Sequence, residues 1–534
     1  MRNNILFLGC LVTLVLLINT LTINGQNQQR TSSYLNKISP VITATLNVLQ
    51  NEGVNSKNAH LMNLPQRFNT PLTRFDEQGR IGLLLDVYNV STALINQLER
   101  LGGNILISLN DAKLISVYMP IDKIEDVANM DEVRLVNEIT GGVLNIGSVT
   151  TEGDSIHHAK DIRTDLLIMG DSVNVGVISD GCVSWLQSQG PGDLPPTFGP
   201  PNFIFLPPAG NKIGLGDEGT AMMEIIYDLA PNAKLFFYGA LNDPAGSAAH
   251  VDAIKRLVRE KGCKVIVDDL TWYNQPMFED GTPGTVGTIA EAAKWANDTG
   301  VVYISSAGNW ADGPGTPLNP ISRSHYQAMY NDINLPSNVK ENKPLPNGPI
   351  PAGYPPPNWD DLHNFNPTPG QFDPGLAVVV PPGKTVTVVL EWADPSLASP
   401  DPWGGSKDDY DLYLYDAALI NNLTGMNGAG SQTGSQNPWE KVSLTNYEGT
   451  PTVFNVVINH RDTIPKPPPK LLGLYISGCS NVEYWTPKNS IWGQPGVSEV
   501  IAVGAVQQNN ITNIESFSSL GNYDVYWPAF VSRP

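Results

Sequence analysis

The sequence predicts an α/β protein in which a parallel sheet forms the core, a ferredoxin-like unit precedes that core, and an antiparallel β-sandwich is inserted into it. Three patterns support this fold class. Strands and helices alternate between residues 173 and 309, as in parallel sheets with crossover helices. Residues 79–137 follow the order βαββαβ. Residues 375–477 alternate as short strands separated by turn residues, which is typical of a sandwich.

Size and charge exclude several classes of protein. The 534 residues include 32 Lys+Arg and 52 Asp+Glu, which gives a net charge of −20. A chain this acidic, without basic clusters, is a poor nucleic-acid binder because phosphate contacts need Lys and Arg. Hydrophobic residues make up 41% of the chain, so it can bury real cores. Its length suggests about three or four domains.

The first residues have the features of an export signal. Arg2 precedes an apolar run at 5–18, and the small residue Gly25 precedes Gln26. This order predicts a cleaved signal peptide over residues 1–25. The alternative is a membrane anchor, but the run is short for a span of about 20 residues. We therefore expect a secreted or cell-surface protein that has no membrane attachment once the signal is removed.

The ferredoxin-like unit is predicted from local strand and cap signals. Residues 80–88 indicate a strand, and Ser91 can cap a helix that stops at the Gly102-Gly103 pair. The remaining predicted elements are strands at 104–109 and 113–119, a helix at 121–130 and a strand at 133–137.

The core is predicted as strands that alternate with helices. The β-branched run at 173–179 is typical of a buried strand. The following elements are a helix at 221–229, a strand at 234–239, a helix at 246–261, a strand at 264–268, a helix at 286–299 and a strand at 301–305.

Five polar residues lie where predicted strands end or a helix begins. Asp180, Asp268, Asp269 and Asn309 stand at or just after strand ends, and Glu218 opens a helix. Sites in parallel sheets form at the carboxyl ends of strands, so we expect these residues to share one edge.

The insertion begins with a Pro-, Asn- and Gly-rich stretch at 310–370, which we predict to be loop. Short strands follow, and they predict an antiparallel sandwich. Asp408, Asp409 and Asp411 could ligate Ca²⁺ through hard oxygens, or they could form a solvated acidic loop. We predict no other metal site, because no Cys/His pattern is present.

The cysteines allow at most one internal disulfide. Cys10 lies in the predicted signal, so the mature chain keeps Cys182, Cys263 and Cys479. Three is an odd number, and buried small side chains are an equally good reading of all of them.

Four core motifs resemble, in order, those of the subtilisin-like serine peptidases. In the family, the first motif carries an Asp, the second a His, and the third an oxyanion-hole Asn. The fourth precedes the nucleophile, and residues 499–505 match the strand before it. In this chain the motifs are Val-Ile-Ser-Asp-Gly at 177–181, Asp-Glu-Gly-Thr-Ala-Met at 217–222, Ser-Ser-Ala-Gly-Asn at 305–309 and Phe-Ser-Ser-Leu-Gly at 517–521.

The ferredoxin-like unit resembles the prosegment of the same family. The resemblance lies in Pro-Ile-Asp-Lys-Ile-Glu-Asp-Val-Ala at 120–128 and Glu-Val-Arg-Leu-Val at 132–136. It implies a secreted zymogen of a serine endopeptidase, with polypeptide substrates and its own prosegment as partners. The implied division is a prosegment at 26–145, a core at 146–335 and 485–534, and an insertion with the sandwich at 336–484.

The resemblance also implies roles for single residues. Glu218 stands at the histidine position, as in the branch between subtilisins and sedolisins that uses a Ser-Glu-Asp set. A carboxyl beside another carboxylate has a raised pKa, so one of the pair could accept and return the nucleophile's proton, and such a pair favours acidic pH. Asp180 is expected as the acid, one residue later than usual, because Ser179 cannot carry charge. Asn309 would donate to the oxyanion, and the alternative is that it only serves a tight turn after a strand.

Three further acids have less specific assignments. Asp268 and Asp269 could shape the substrate cleft or bind a cation, with turn chemistry as an equal alternative. Asp217 is expected to be a helix N-cap or a partner of the helix dipole.

The family's nucleophile motif, Gly-Thr-Ser, does not occur in the sequence, because no Gly-Thr pair is followed by Ser. Ser305, Ser306, Ser518 and Ser519 lie in motifs that mark them as structural. We therefore expect the nucleophile to lie beyond Pro534. The alternative function is a catalytically inactive relative that binds peptides or partners.

Overall fold

The computed structural model describes residues 36–140, 142–144, 153–190, 192–196, 205–206, 210–211, 213–281, 287–313, 322–333, 361–399, 404–424, 428–461, 468–507, 509–527 and 530–533. The predicted signal peptide at 1–25 lies outside these residues. Within them the chain has mixed α/β content, with one five-stranded parallel sheet and several antiparallel sheets, which confirms the predicted fold class in outline.

The N-terminal unit is a four-stranded antiparallel sheet covered by helices. The strands occur along the chain in the predicted βαββαβ order, and the second and fourth strands lie at the two edges of the sheet. Ser91 caps the helix Thr92–Arg100, as predicted, by accepting a bond of 3.1 Å from the Leu94 amide. In sheet order the strands are Asn104–Leu109, Leu114–Met119, Ile81–Val87 and Val133–Glu138. The helices are Pro40–Asn51, Ala59–Leu61, Leu64–Phe68, Thr92–Arg100, Ile121–Lys123 and Ile124–Ala128.

The core is a parallel sheet with helices around it. The apolar strand residues and the facing helix residues form one buried cluster, and the N-terminal unit packs Leu84 and Leu114 onto it. In sheet order the strands are Ile501–Val503, Val302–Ser306, Val265–Asp268, Asn174–Ser179 and Lys234–Gly239. The helices are Gly153–Ile156, Ala159–Asp165, Trp185–Gln189, Glu218–Leu229, Ser247–Arg259, Ile289–Asp298 and Gln494–Gly496. Two-stranded pairings join Gly142–Leu144 to Leu270–Trp272, Phe205–Leu206 to Gly210–Asn211, Val506–Gln507 to Asn510–Ile514 and Tyr523–Val525 to Val531–Arg533.

Two four-stranded antiparallel sheets form the sandwich, and their inner faces share one buried cluster. The prediction that 310–370 is loop was wrong in part, because Ser322–Met329 is a strand that pairs along Leu471–Cys479. Its partner strand, far along the chain, supplies the pairing that the local composition does not indicate. In sheet order the first sheet is Ser322–Met329, Leu471–Cys479, Thr385–Trp392 and Trp439–Thr445. The second is Tyr410–Asp416, Thr452–His460, Leu376–Val380 and Asn481–Val482.

Cys182, Cys263 and Cys479 are buried, and within the described residues no disulfide joins any of these three. Among the residues described, none of the helices is both long enough and apolar enough to cross a membrane.

Candidate active site

The predicted site residues gather at the carboxyl edge of the parallel sheet. Strand register aligns Asp268 with Ile178 on one side and with Ser305 on the other. Asp180, Asp269 and Asn309 therefore follow three neighbouring strands at the same edge, as expected from the sequence.

Asp180 does not direct its carboxylate at the Glu218 carboxyl. Its Oδ1 accepts from the backbone N–H groups of Gly181 (2.5 Å) and Glu218 (3.1 Å). Gly216 is required beside it, because a Cβ at that position would lie 1.5 Å from Asp180 Oδ2. Asp180 thus holds the backbone at the start of the Glu218–Leu229 helix.

Glu218 is the residue with the most altered chemistry at this edge. Its Oε2 accepts a bond of 2.8 Å from the Ser179 hydroxyl. Burial, then the nearby charge of Asp269 and the weaker effect of Asp180, raise its pKa to about 8, against the opposing effects of Ser179 and Arg323. The carboxylate that most perturbs Glu218 is therefore Asp269, whereas the sequence pointed to Asp180.

Arg323 is a site residue that the sequence analysis missed. It lies on the first strand of the sandwich, and its charge acts on both Asp269 and Glu218. Its guanidinium also lies over the Trp310 ring, 5.8 Å from the centroid. The segment around it is Pro-rich and was predicted to be loop, so no local signal could have placed it here.

Asp268 is a buried structural residue rather than a wall of an open cleft. Its Oδ1 accepts from Ser305 Oγ and from Gln494 Nε2, both at 2.9 Å, and burial raises its pKa to about 6. These bonds tie together three segments of the core. Asp269, the other cleft candidate, is only partly buried and lies beside Glu218.

A buried hydrogen-bond chain ends at Asp268. Trp272 Nε1 donates to His250 Nδ1 (3.0 Å), and His250 Nε2 lies 3.1 Å from the Tyr303 hydroxyl, which bonds to Asp268. Burial lowers the pKa of His250 to about 3, so the ring is neutral and carries its proton on Nε2. This histidine is therefore a structural donor.

Asn309 lies in a turn that the Phe-Ser-Ser motif supports. Gly308 before it has φ +93°, and its carbonyl accepts from the Ser519 amide (2.8 Å). Ser519 Oγ in turn accepts from the Trp310 amide (3.0 Å). Ser305 and Ser519 are structural in this arrangement, in line with their motifs.

Backbone of the chain itself lies along the site. Gly142–Leu144 pairs antiparallel with Leu270–Trp272, which begins directly after Asp269. An extended segment of the chain therefore lies beside the strand that follows Asp269.

The remaining acids have structural partners. Asp217 precedes the helix, and its Oδ1 accepts from the Ser184 amide and the Thr220 hydroxyl. Although burial opposes the change, these bonds lower the pKa of Asp217. Asp217 occupies the predicted N-cap position, but its side chain makes no capping hydrogen bond to the helix amides.

The acidic loop of the sandwich is buried, so the prediction that it is solvated was wrong. Asp408 lies 3.2 Å from Lys470, and Asp409 and Asp411 lie 3.5 and 3.9 Å from Arg461. Lys470 and Arg461 are distant in sequence from these acids and lie close to them because of the strand pairing. Within the described part of the chain, no three His, Cys, Asp or Glu side chains are grouped so that they could hold a metal ion.

Comparisons with known proteins give only distant similarity. No protein-family model matches the chain, and a search of curated proteins finds no match. Among solved structures, the chain is similar to the CspB protease of Clostridium perfringens, with a TM-score of 0.41 and 11% identity over 72% of this chain and 79% of that chain.

Two other solved structures are also bacterial peptidases. The epidermin leader peptide processing serine protease of Staphylococcus aureus aligns with a TM-score of 0.29 and 14% identity, over 43% of this chain and 61% of that chain. A lanthipeptide protease aligns with a TM-score of 0.22 and 23% identity, over 29% of this chain and 45% of that chain. Because these TM-scores are low, we argue the function from this chain's own residues.

Proposed function

We propose that the protein is a secreted serine-type endopeptidase made as a zymogen, with Glu218 as general acid and base and Asn309 as oxyanion donor. The raised pKa of Glu218, about 8, carries the proposal, because a proton carrier works best when its pKa is near the working pH. Structural carboxyls on a helix start ordinarily stay ionised at neutral pH, so this shift favours a chemical role.

In the proposed reaction Glu218 carries one proton from the nucleophile to the leaving group. The ionised Glu218 accepts the nucleophile's hydroxyl proton as its oxygen bonds to the scissile carbonyl carbon. Glu218 then returns that proton to the leaving amine as the carbon–nitrogen bond breaks. The charge of Asp269 raises the pKa of Glu218. Asp180 positions Glu218 by accepting a hydrogen bond from the Glu218 backbone amide.

The raised pKa changes the expected working range. A base must be ionised, and the ionised fraction of Glu218 grows as pH rises toward about 8. We therefore propose activity that rises from acidic to neutral pH, in place of the acidic preference expected from the sequence.

We propose that Ser179 is a positioning residue and not the nucleophile. Ser179 is bonded to Glu218, but it is fully buried, and a peptide carbonyl could not reach it. We assign Ser179 to positioning Glu218.

The pairing of Gly142–Leu144 with Leu270–Trp272 supports the zymogen proposal. A segment that adds a strand beside Asp269 would compete with a peptide substrate for the same backbone groups. The N-terminal unit would then act as the prosegment, and its removal would open the site.

The test uses the protein purified from its natural source. A fluorophosphonate probe should label one serine, and casein should be cleaved, in the wild type and in Glu224→Gln, a control on the same helix. Glu218→Gln should lower kcat/KM by about 100-fold or more, as expected for loss of general acid–base catalysis.

Two outcomes would contradict the proposal. Full activity in Glu218→Gln would remove Glu218 from the mechanism. An unlabelled protein that cleaves nothing between about pH 3 and 9 but still binds peptides would support the inactive, peptide-binding alternative, since general-base titration lies within that range.

A further inference from the structure

We infer that the sandwich contains a Ca²⁺ site formed by Asp409, Asp411, Gln432 and Asn459. The site uses no residue of the Glu218 centre, and it does not depend on the proposed peptidase activity.

Strand register brings the four residues together. Asp411 on Tyr410–Asp416 stands directly opposite Asn459 on Thr452–His460. Asp409 precedes Asp411 by two residues and therefore lies on the same face of the strand. The Gln432 backbone bonds to the Asp409 carboxylate, so the loop before Trp439–Thr445 covers this face.

Each of the four side chains has one oxygen atom that no donor satisfies, while the Asn459 side chain also bonds to the Asp411 carboxylate. Within the described residues, Asp409 Oδ1, Asp411 Oδ1, Gln432 Oε1 and Asn459 Oδ1 have no hydrogen-bond partner. The residues are only 7%, 3%, 5% and 4% exposed, respectively. A buried acceptor without a donor is costly, and a native fold rarely leaves one unfilled. Four such acceptors in one place indicate a bound cation.

The local charge indicates that this cation is divalent. Arg461 faces Asp409 Oδ2 and Asp411 Oδ2, which leaves the Oδ1 atoms to another partner. Glu440 is a third buried carboxylate here, and its Oε1 accepts from Gln432 Nε2 and the Gly430 amide. A divalent cation at the two Oδ1 atoms would neutralise Asp409 and Asp411 on the side that Arg461 does not contact.

The ligand types select among the divalent cations. Carboxylate and amide oxygens without sulfur or imidazole are hard ligands, which suit Ca²⁺ or Mg²⁺ rather than zinc or copper. Ca²⁺ accepts irregular sets of about 6–8 oxygens, so two carboxylates, two amides and water suit it better than the strict octahedron of Mg²⁺.

The test measures metal binding on the full chain, freed of metal with EDTA. We expect Ca²⁺ to raise Tm by several degrees over EDTA, because a ligand that binds only the folded state stabilises it. Tb³⁺ should bind saturably and show tyrosine-sensitised luminescence, since Tyr413 donates to Asp411 Oδ2 at 2.9 Å. Excess Ca²⁺ should displace it.

Two variants make the test specific to this site. Asp411→Asn should weaken Ca²⁺ binding at least about tenfold, as loss of one charged ligand does. The control Asp416→Asn, at the far end of the same strand, should bind as the wild type does. If Asp411→Asn does not fold, Asn459→Asp adds a carboxylate and should enlarge the Ca²⁺-dependent rise in Tm.

The inference fails if the wild type melts at the same temperature in Ca²⁺ and EDTA and gives no saturable Tb³⁺ signal. It also fails if Asp411→Asn or Asn459→Asp folds and responds to Ca²⁺ as the wild type does.

Discussion

At the Glu218 carboxyl, the neighbouring groups decide the protonation state. Burial and Asp269 favour the neutral acid, whereas the Ser179 hydroxyl and the Arg323 charge favour the carboxylate. The Glu218 carboxyl, at the start of its helix, is thus subject to two opposing effects on its pKa. Replacing any one of these neighbours should therefore change the pKa of Glu218.

Replacing Ser179 tests this balance. In Ser179→Ala the carboxylate loses a donor at 2.8 Å, so the pKa of Glu218 should rise above that of the wild type. Carbon-13 NMR of the Glu218 carboxyl against pH measures the change, and the pH profile of kcat/KM should move to higher pH. Ser184→Ala serves as the control, because Ser184 takes no part in the hydrogen bond between Ser179 and Glu218. An unchanged or lowered pKa would contradict the assignment.

At the scale of elements, one strand of the sandwich holds a loop of the core. Both carboxyl oxygens of Glu391, on Thr385–Trp392, accept from the Met277 amide at 3.0 Å. Nearby, Glu279 accepts from the hydroxyls of Ser396 and Ser399, both at 2.8 Å. The loop that follows Leu270–Trp272 is therefore shaped by buried acids.

Glu391 should make stability depend on pH. Burial raises its pKa well above 4.5, so the folded state holds a proton that the unfolded chain releases as pH rises. Its contribution is complete below about pH 4.5 and is lost as pH rises toward the folded-state pKa. Urea unfolding should show that the free energy of unfolding decreases between pH 4 and pH 8. This decrease should be smaller in Glu391→Gln than in the wild type, because the variant has no proton to release at this position.

Glu448→Gln, at an exposed position of the same sandwich, should leave that decline unchanged. Equal pH dependence in Glu391→Gln and the wild type would show that Glu391 is ionised in the folded state.

Across the whole molecule, a buried ion pair joins the N-terminal unit to the sandwich. Lys441 Nζ lies 2.7 Å from Glu138 Oε1, and both side chains are almost wholly buried. Burial alone would raise the pKa of Glu138, but Lys441 and the Ser39 hydroxyl outweigh it, so the pKa is lowered. This contribution to stability is present above the unfolded-state pKa and is lost as pH falls through the folded-state value.

Breaking this pair should loosen the attachment of the N-terminal unit. Lys441→Met leaves Glu138 buried without its cation and should cost about 3–5 kcal/mol in urea unfolding at neutral pH. The double variant Glu138→Gln/Lys441→Met should recover most of that loss, since no unpaired charge remains. Limited proteolysis should cut Lys441→Met between the two units faster than the wild type. A single variant as stable as the wild type would show that the pair contributes nothing.

Much of the fold could be predicted because its signals are local. The Ser91 cap, the Gly102-Gly103 stop and the apolar strand periods act over a few residues, and the structure has those elements where they were expected. The strand Ser322–Met329 was missed because its stability comes from pairing with Leu471–Cys479, far along the chain.

Local sequence signals predict the fold class in outline and the sheet edge that holds Asp180, Glu218, Asp269 and Asn309, because strand ends and helix starts depend on neighbouring residues. Which groups face one another was decided only by the tertiary structure. In the folded chain Asp180 accepts from backbone amides, and Asp269 lies close to Glu218. Arg323, on a strand of the sandwich, interacts with both Asp269 and Glu218. Electrostatic partnership depends on distance in space, and no spacing along the chain specifies it.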